Sequence, residues 1–257
     1  MGHGLPDDER RTRVWSRVRR FAAADRDPAG VHHVALAATV ALHAGEAVVY
    51  QVSAPGRGEP AWVLGPLGDR LSEAEVTLGE GPALDCLRAE RPVVVTDLAA
   101  PGSAARWPVF TPFARAEGVA GVVAFPIMAG AAVLGCLEAL RPVAAPCTEG
   151  EAADGVLLAD AAMVLLLRGP ARSGAHPFSD AVEARWAIVR RATGVVAVQT
   201  RGDLETAFVR MRAYAYGTGR RLGDVAADVL LRDLRFGVDP GVDPGVGPEA
   251  GPETDQG

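Results

Sequence analysis

Between residues 179 and 236 apolar side chains recur at helical spacing in three short runs, and this pattern constrains the fold more than any other in the chain. From Ser179 to Gln199, Val182, Trp186, Val189, Thr193 and Val196 share one face. Arg201-Gly202 breaks that run, and Asp203 is placed to cap a second helix with Leu204, Ala207, Phe208, Met211 and Ala215 as its stripe. Gly217 and Gly219 end it. A third helix, from about Arg221 to Arg235, turns Leu222, Val225, Ala226, Val229 and Leu230 inward. Stripes this short find apolar cover only on each other, so an all-α three-helix bundle is expected.

Several polar and small residues in the same stretch follow a recognisable order. Ala192 and Gly194 stand late in the first helix, and Glu205, Ala207, Phe208, Met211 and Arg212 mark the second. Arg220, Arg221, Leu222, Asp224, Val225 and Ala226 open the third. In this order and spacing the segment resembles the ANTAR domain, a three-helix RNA-binding module of bacterial transcription antiterminators. The paired Arg190-Arg191 is a departure, since relatives often carry a single basic or amide side chain there. The resemblance implies binding to paired hairpins in a nascent transcript, and engagement of two hairpins implies a homodimer. Arg190, Arg191, Arg220 and Arg221 are the candidate phosphate contacts. Tyr214 is the candidate for stacking on an unpaired base; Tyr216 lies about 200° away on a helix, so only one of the two faces a ligand. Arg212 is counted with the RNA contacts, although a cross-helix pair with Asp224 is an alternative for it.

The charge distribution fits a small basic module on an acidic carrier. The net charge is −6, which excludes an all-over nucleic-acid coat. Residues 179–236 hold ten Arg against seven acids, a local +3, whereas residues 30–168 hold eight against fifteen, a local −7. All 26 basic residues are Arg, the mark of a GC-rich coding bias, so an individual Arg carries little weight by its presence alone. No secretory leader is visible in the first 29 residues, and Pro126, Gly130 and Gly135 interrupt the longest apolar stretch, so neither export nor a membrane span is expected. Three Cys without close spacing point to a reducing cytoplasm.

The rest of the chain reads as a larger α+β unit with flanking segments. Residues 1–28 contain a basic amphipathic helix, Arg10 to Ala24, with Val14, Val18 and Phe21 on one face. Within residues 29–168 a helix near Gly30–His43 precedes strands at Ala47–Ser53 and Ala61–Gly65, with Pro55 to Gly58 as their hairpin loop. An irregular stretch is expected up to Leu78, then a helix from Pro82 to Glu90, a strand at Pro92–Thr96, and partial helix over Ala105–Glu117. Paired strands at Val119–Met128 and Ala131–Arg141 and a helix at Thr148–Leu167 complete it. Residues 169–178 form a Pro/Gly linker, and residues 237–257, with repeated Val-Asp-Pro-Gly and five acids, are expected to be a disordered tail.

Thr77 to Pro82, Arg91-Pro92-Val93, Thr96-Asp97-Leu98, Arg106-Trp107-Pro108 with Phe110, Gly118-Val119, Ala124-Phe125-Pro126 and Leu134-Gly135 recur together. On these residues, 29–168 resembles a GAF domain of the kind that precedes ANTAR in actinobacterial proteins. The resemblance implies an antiparallel sheet with helices, a dimerising role, and room for a small molecule of unstated identity.

No catalytic constellation emerges. Gly79-Glu80-Gly81-Pro82 lacks the Gly-Lys-Ser/Thr of a phosphate loop. Cys86, Cys136 and Cys147 lie apart in sequence; Cys136 reads as a packed strand residue, and a redox-sensing role falls best to Cys147. His32, His33 and His43 share a helix without converging on a metal. The expected protein is therefore a non-enzymatic GAF–ANTAR regulator without cofactor or metal. A sensor of ligand or redox state acting through protein contacts is the alternative.

Overall fold

The structure, a computed structural model, describes residues 7–54, 57–169 and 177–237. The first six residues, most of the linker and the acidic tail lie outside them. The fold is α+β, an antiparallel five-stranded sheet with helices followed by a helical C-terminal region.

The strands are β1 (Glu46–Ala54), β2 (Arg57–Val63), β3 (Val93–Val95), β4 (Gly121–Ala129) and β5 (Ala132–Arg141), in spatial order β2-β1-β5-β4-β3. Both faces of the sheet are covered, so its strands read as near-continuous apolar runs in which alternation decides only which layer each residue meets. Ala47, Val49, Val123, Phe125, Ile127, Leu137 and Ala139 point to one layer, built from α1 (Asp7–Asp25), α2 (Val31–Ala41) and α7 (Glu149–Leu167). Val48, Tyr50, Val122, Ala124, Cys136 and Leu140 point to the other, with α3 (Gly65–Leu78), α4 (Pro82–Ala89), α5 (Pro101–Arg106) and α6 (Phe110–Ala116). On the first face α7 approaches so closely at Gly155 that a Cβ there would sit 2.3 Å from the Phe125 ring.

Charged residues pin the first layer together. The guanidinium of Arg141, buried on β5, donates to the Leu42 and Ala145 carbonyls and to Glu151 on α7. That set of partners is what a buried cation requires. Glu151 in turn closes a capping box with Thr148 at the start of α7. The basic helix α1 lays Val14 and Val18 against its own chain, while Arg10 and Arg13 pair with Asp154 of α7.

Two local expectations need correction. The stretch expected to be irregular before Leu78 is the 14-residue helix α3. Gly65, Pro66 and Gly68 look like breakers, but Pro66 stands in its first turn, where no amide hydrogen is needed. Glu46, from β1, accepts the amide hydrogens of Leu67 and Gly68, a cap supplied from 22 residues away. Arg57-Gly58, read as loop, instead begins β2. The strand's register slips between Val49 and Tyr50, and Gly58 passes close under Leu87.

The C-terminal region consists of α8 (Pro177–Thr200), α9 (Leu204–Thr218) and α10 (Leu222–Leu231). Val182, Trp186, Val189, Thr193, Val196, Ala207, Phe208, Met211, Ala215, Leu222, Val225, Ala226 and Val229 are all buried, as the stripes required. Leu230 is only partly buried, and Leu204 stands 59% exposed because it occupies the first helical position and faces away from the bundle. Asp203 caps α9 through the Thr206 amide, and Arg201 turns the chain at φ 51°. The bundle is not a separate bead: α8 lies against β2, α9 touches α3, and one continuous apolar core runs from Tyr50 and Leu71 to Trp186 and Met211.

Candidate nucleic-acid interface

The six candidate residues divide between two surroundings. Arg190, on α8, reaches back to Glu59 of β2, Nη1 to Oε2 at 2.7 Å. Arg221, at the N-cap of α10, donates through Nε to Glu73 of α3 at 2.7 Å and through Nη2 to Asp69 at 3.1 Å. Arg212, on α9, is largely desolvated and donates from Nε to the Thr77 carbonyl at the end of α3, 3.0 Å away. That burial pushes its guanidinium below the ordinary range, with Arg88 adding repulsion. The cross-helix pair of Arg212 with Asp224 is not formed; the side chain leaves α9 toward α3, while Asp224 stays exposed.

The other candidates remain on the outside of the bundle. Arg220 pairs with Asp228 of α10 at 2.7 Å, and this hydrogen bond raises its affinity for its proton. Arg191 is exposed and makes no ion pair among the described residues. Tyr214 is half-buried and meets Phe236 edge to face, ring centroids 5.6 Å apart, whereas Tyr216 is exposed. Arg220 feels the Tyr214 hydroxyl only as a minor electrostatic neighbour. Arg190, Arg212 and Arg221 instead face the sheet-containing part.

Sequence reading missed Arg185. It joins Arg221 on the same acids, pairing with Asp69 and approaching Glu73 to 3.9 Å. Its place on α8 beside the buried Trp186 is a signal for a position near the seam, but its closest partner, Asp69, lies 116 residues away. Phe208 is flanked by two guanidinium groups, Arg57 of β2 at 4.6 Å and Arg212 at 5.8 Å from the ring centroid.

A second polar constellation lies inside the sheet-containing part. The Tyr50 hydroxyl lies 2.6 Å from Glu75 Oε2 on α3 and 3.2 Å from Glu138 Oε2 on β5. Glu75 also accepts the Ala83 amide hydrogen. No cation accompanies the two carboxyls among the described ion pairs, so burial raises Glu138 to about 7 and holds Glu75 well above its ordinary value. Tyr50 is pushed up as well, by burial and then by both acids. Cys136 and Cys86 are both buried free thiols, and burial raises the Cys136 thiol strongly, which disfavours its reactive thiolate. The signal available in advance was Glu138 standing within the apolar run of β5.

Asp25, His32 and His33 converge, with ligating atoms within 4.8 Å, and His43 is not part of the group. The arrangement serves a helix end. His33 Nδ1 accepts the Gly30 amide hydrogen at 2.9 Å, so a neutral ring keeps its proton on Nε2, which faces Asp25 at 3.2 Å. A metal at Nε2 would have to displace that proton. An open cavity of about 760 Å³ lies between the sheet-containing part and α8, with Trp62, Glu59, Leu165, Trp186, Glu183 and Arg190 among its walls. No helix of the described residues is long and apolar enough to cross a membrane.

Among solved structures the chain is similar to the GAF domain of a phosphoenolpyruvate-protein phosphotransferase from Coxiella burnetii, 18% identical with a TM-score of 0.45, over 62% of this chain and 95% of that one. The corresponding GAF domain from Acinetobacter is 14% identical, TM-score 0.44, over 60% and 93%. A free methionine-R-sulfoxide reductase from Neisseria meningitidis is 16% identical, TM-score 0.43, over 65% and 95%. No curated protein matches the chain. Residues 179–230, which span the bundle bearing the six candidates, match the family model of the ANTAR domain.

Proposed function

We propose that this protein is a signal-responsive, RNA-binding regulator of transcription antitermination. Its C-terminal bundle, residues 179–236, grips hairpins in a nascent transcript and so prevents a competing terminator from forming. The observation that supports the reading is the coincidence of the ANTAR match with an autonomous-looking three-helix stripe pattern and a positive local charge. In this reading residues 29–168 act as a GAF-type sensory domain in the cytoplasm and assemble the homodimer that two hairpins need. Arg191 and Arg220 present contacts on the outside of the bundle, the half-buried Tyr214 offers a ring edge beside Phe236, and Arg190, Arg212 and Arg221 complete the surface.

The test is retention of labelled two-hairpin RNA by the full chain in a gel-shift assay across a salt series, since phosphate contacts lose affinity as salt rises. Arg191→Glu with Arg220→Glu is the informative variant, because neither residue contacts the sheet-containing part. Retention is expected to fall at least tenfold while circular dichroism stays unchanged. Undiminished retention would remove these residues from the contact surface. Crosslinking in cells with sequencing of bound RNA identifies the transcripts.

A further inference from the structure

We propose that the sheet-containing part holds the RNA-binding surface shut by presenting carboxylates where RNA would present phosphates. The proposal rests on the RNA-binding reading above and names how that same surface is regulated.

The contact is a set of acids on one side and candidate RNA-binding arginines on the other. Asp69 and Glu73, on α3, are mostly buried at the seam. Among the described residues their ion-pair partners are Arg185 and Arg221, both from the bundle. Glu73 also sits at the N-terminus of α10, where Gly223 offers its amide hydrogen to Oε1 at 3.4 Å and Arg221 donates to Oε2. Amide hydrogens of a first helical turn beside an arginine fork are a general receptor for a phosphate group. Glu73 fills that receptor from within the chain. Glu59, on β2, does the same for Arg190, and the Thr77 carbonyl occupies Arg212. Arg57 covers the face of Phe208.

Three of the six candidate RNA contacts are thus spent on one neighbouring surface, and a phosphate chain cannot meet them until that surface leaves. Release must break these ion pairs, while rehydration of acids buried more deeply than the arginines that cover them offsets part of that cost, so the closed arrangement is held by a small balance. The helix that carries Asp69, Glu73 and Thr77 toward the bundle also carries Glu75 toward Tyr50 and Glu138. A displacement of α3 is therefore felt at both ends.

The experiment compares the full chain with Asp69→Asn/Glu73→Gln, and separately with Glu59→Gln at a distinct contact. The probe is a fluorescein-labelled RNA stem–loop with a randomised six-nucleotide loop, read by anisotropy at one moderate salt concentration. Amide hydrogen exchange reports independently whether the first turn of α10 and the end of α3 have opened, and thermal unfolding confirms that each variant is folded. The double variant is expected to bind at least tenfold more tightly than the parent chain with faster exchange at α10, and Glu59→Gln severalfold more tightly. Equal affinity of parent and variants for the RNA, with or without faster exchange, overturns the shut-surface proposal and leaves RNA binding standing. Faster exchange with no RNA bound by any chain overturns the RNA-binding reading itself.

Discussion

The bundle and the sheet-containing part handle charge in opposite ways. In the bundle the buried polar residues are Thr193 and Thr200, and each hydroxyl donates to a carbonyl one turn back on its own helix. The sheet-containing part buries Glu59, Glu73, Glu75, Glu138, Arg141 and Asp154, and each meets a residue far off in sequence, while Glu75 and Glu138 are in addition drawn toward their protonated forms. The difference teaches where each region's stability is decided. The bundle satisfies its buried hydroxyls locally, while its arginines point either to solvent or to acids and a carbonyl of the neighbouring part. The sheet-containing part depends on distant partners, some of which belong to the bundle, so the two regions are one unit while docked.

Three perturbations break or sharpen that contrast. The largest effect is expected from Trp186→Ala, since the ring is almost fully buried in the core shared by both regions. A loss of about 3–5 kcal/mol is the general cost of such a cavity. Denaturant unfolding followed separately by bundle and sheet probes should shift for both regions together. If only the bundle unfolds earlier, the shared core is not a cooperative one.

Next comes pH. Glu138 is raised from an unfolded value near 4.5 to about 7, so the native protein holds a proton that the unfolded chain releases. Stability from this group is complete below about pH 4.5 and is lost as pH rises toward and through 7, by roughly 3 kcal/mol for a shift of that size. Glu138→Gln should flatten the dependence in urea titrations between pH 5 and 8. A slope that survives the substitution would fall to Glu75, the other raised carboxyl on Tyr50. The bundle has no buried carboxylate of its own, so any pH dependence of exchange in the core of α9 should follow global unfolding and vanish with Glu138→Gln.

The smallest effect is at the caps. Thr148→Ala removes a reciprocal cap at α7, at a cost of about 1 kcal/mol in unfolding free energy. Asp203→Ala removes the matching cap at α9 and should loosen the bundle alone, visible as faster exchange at Leu204 to Ala207 with α7 unaffected.

Much of this was legible in advance, for reasons that can be named. Val182, Trp186, Val189 and Val196 repeat with the pitch of one helix, so a one-sided stripe identifies the element and its buried face together. Strands β4 and β5 announced themselves by length and flanking glycines, although burial on both faces hid which residue faced which layer. Helix α3 was concealed because its start is capped by Glu46 from β1, and its glycine at position 68 is required by close packing on Val48 and not by a turn. The exposure of Leu204 was misjudged because a stripe's first member has no following turn to shelter it. Of the candidate contacts, Arg190, Arg191, Arg212 and Tyr214 lie on the helices expected, whereas Arg220 and Arg221 precede α10, and the surroundings of all six were not foreseen.

Local pattern therefore determined the elements of this protein: three amphipathic helices at the end, apolar strands within, and an arginine-only cation set from which a basic face would be drawn. Only the tertiary structure decided which arginines meet water and which meet a carboxylate. Arg190 finds Glu59 across 131 positions and Arg221 finds Glu73 across 148. Periodicity carries information over a helical turn or two, while a charge pair of that separation exists only once the chain has folded both regions against one core.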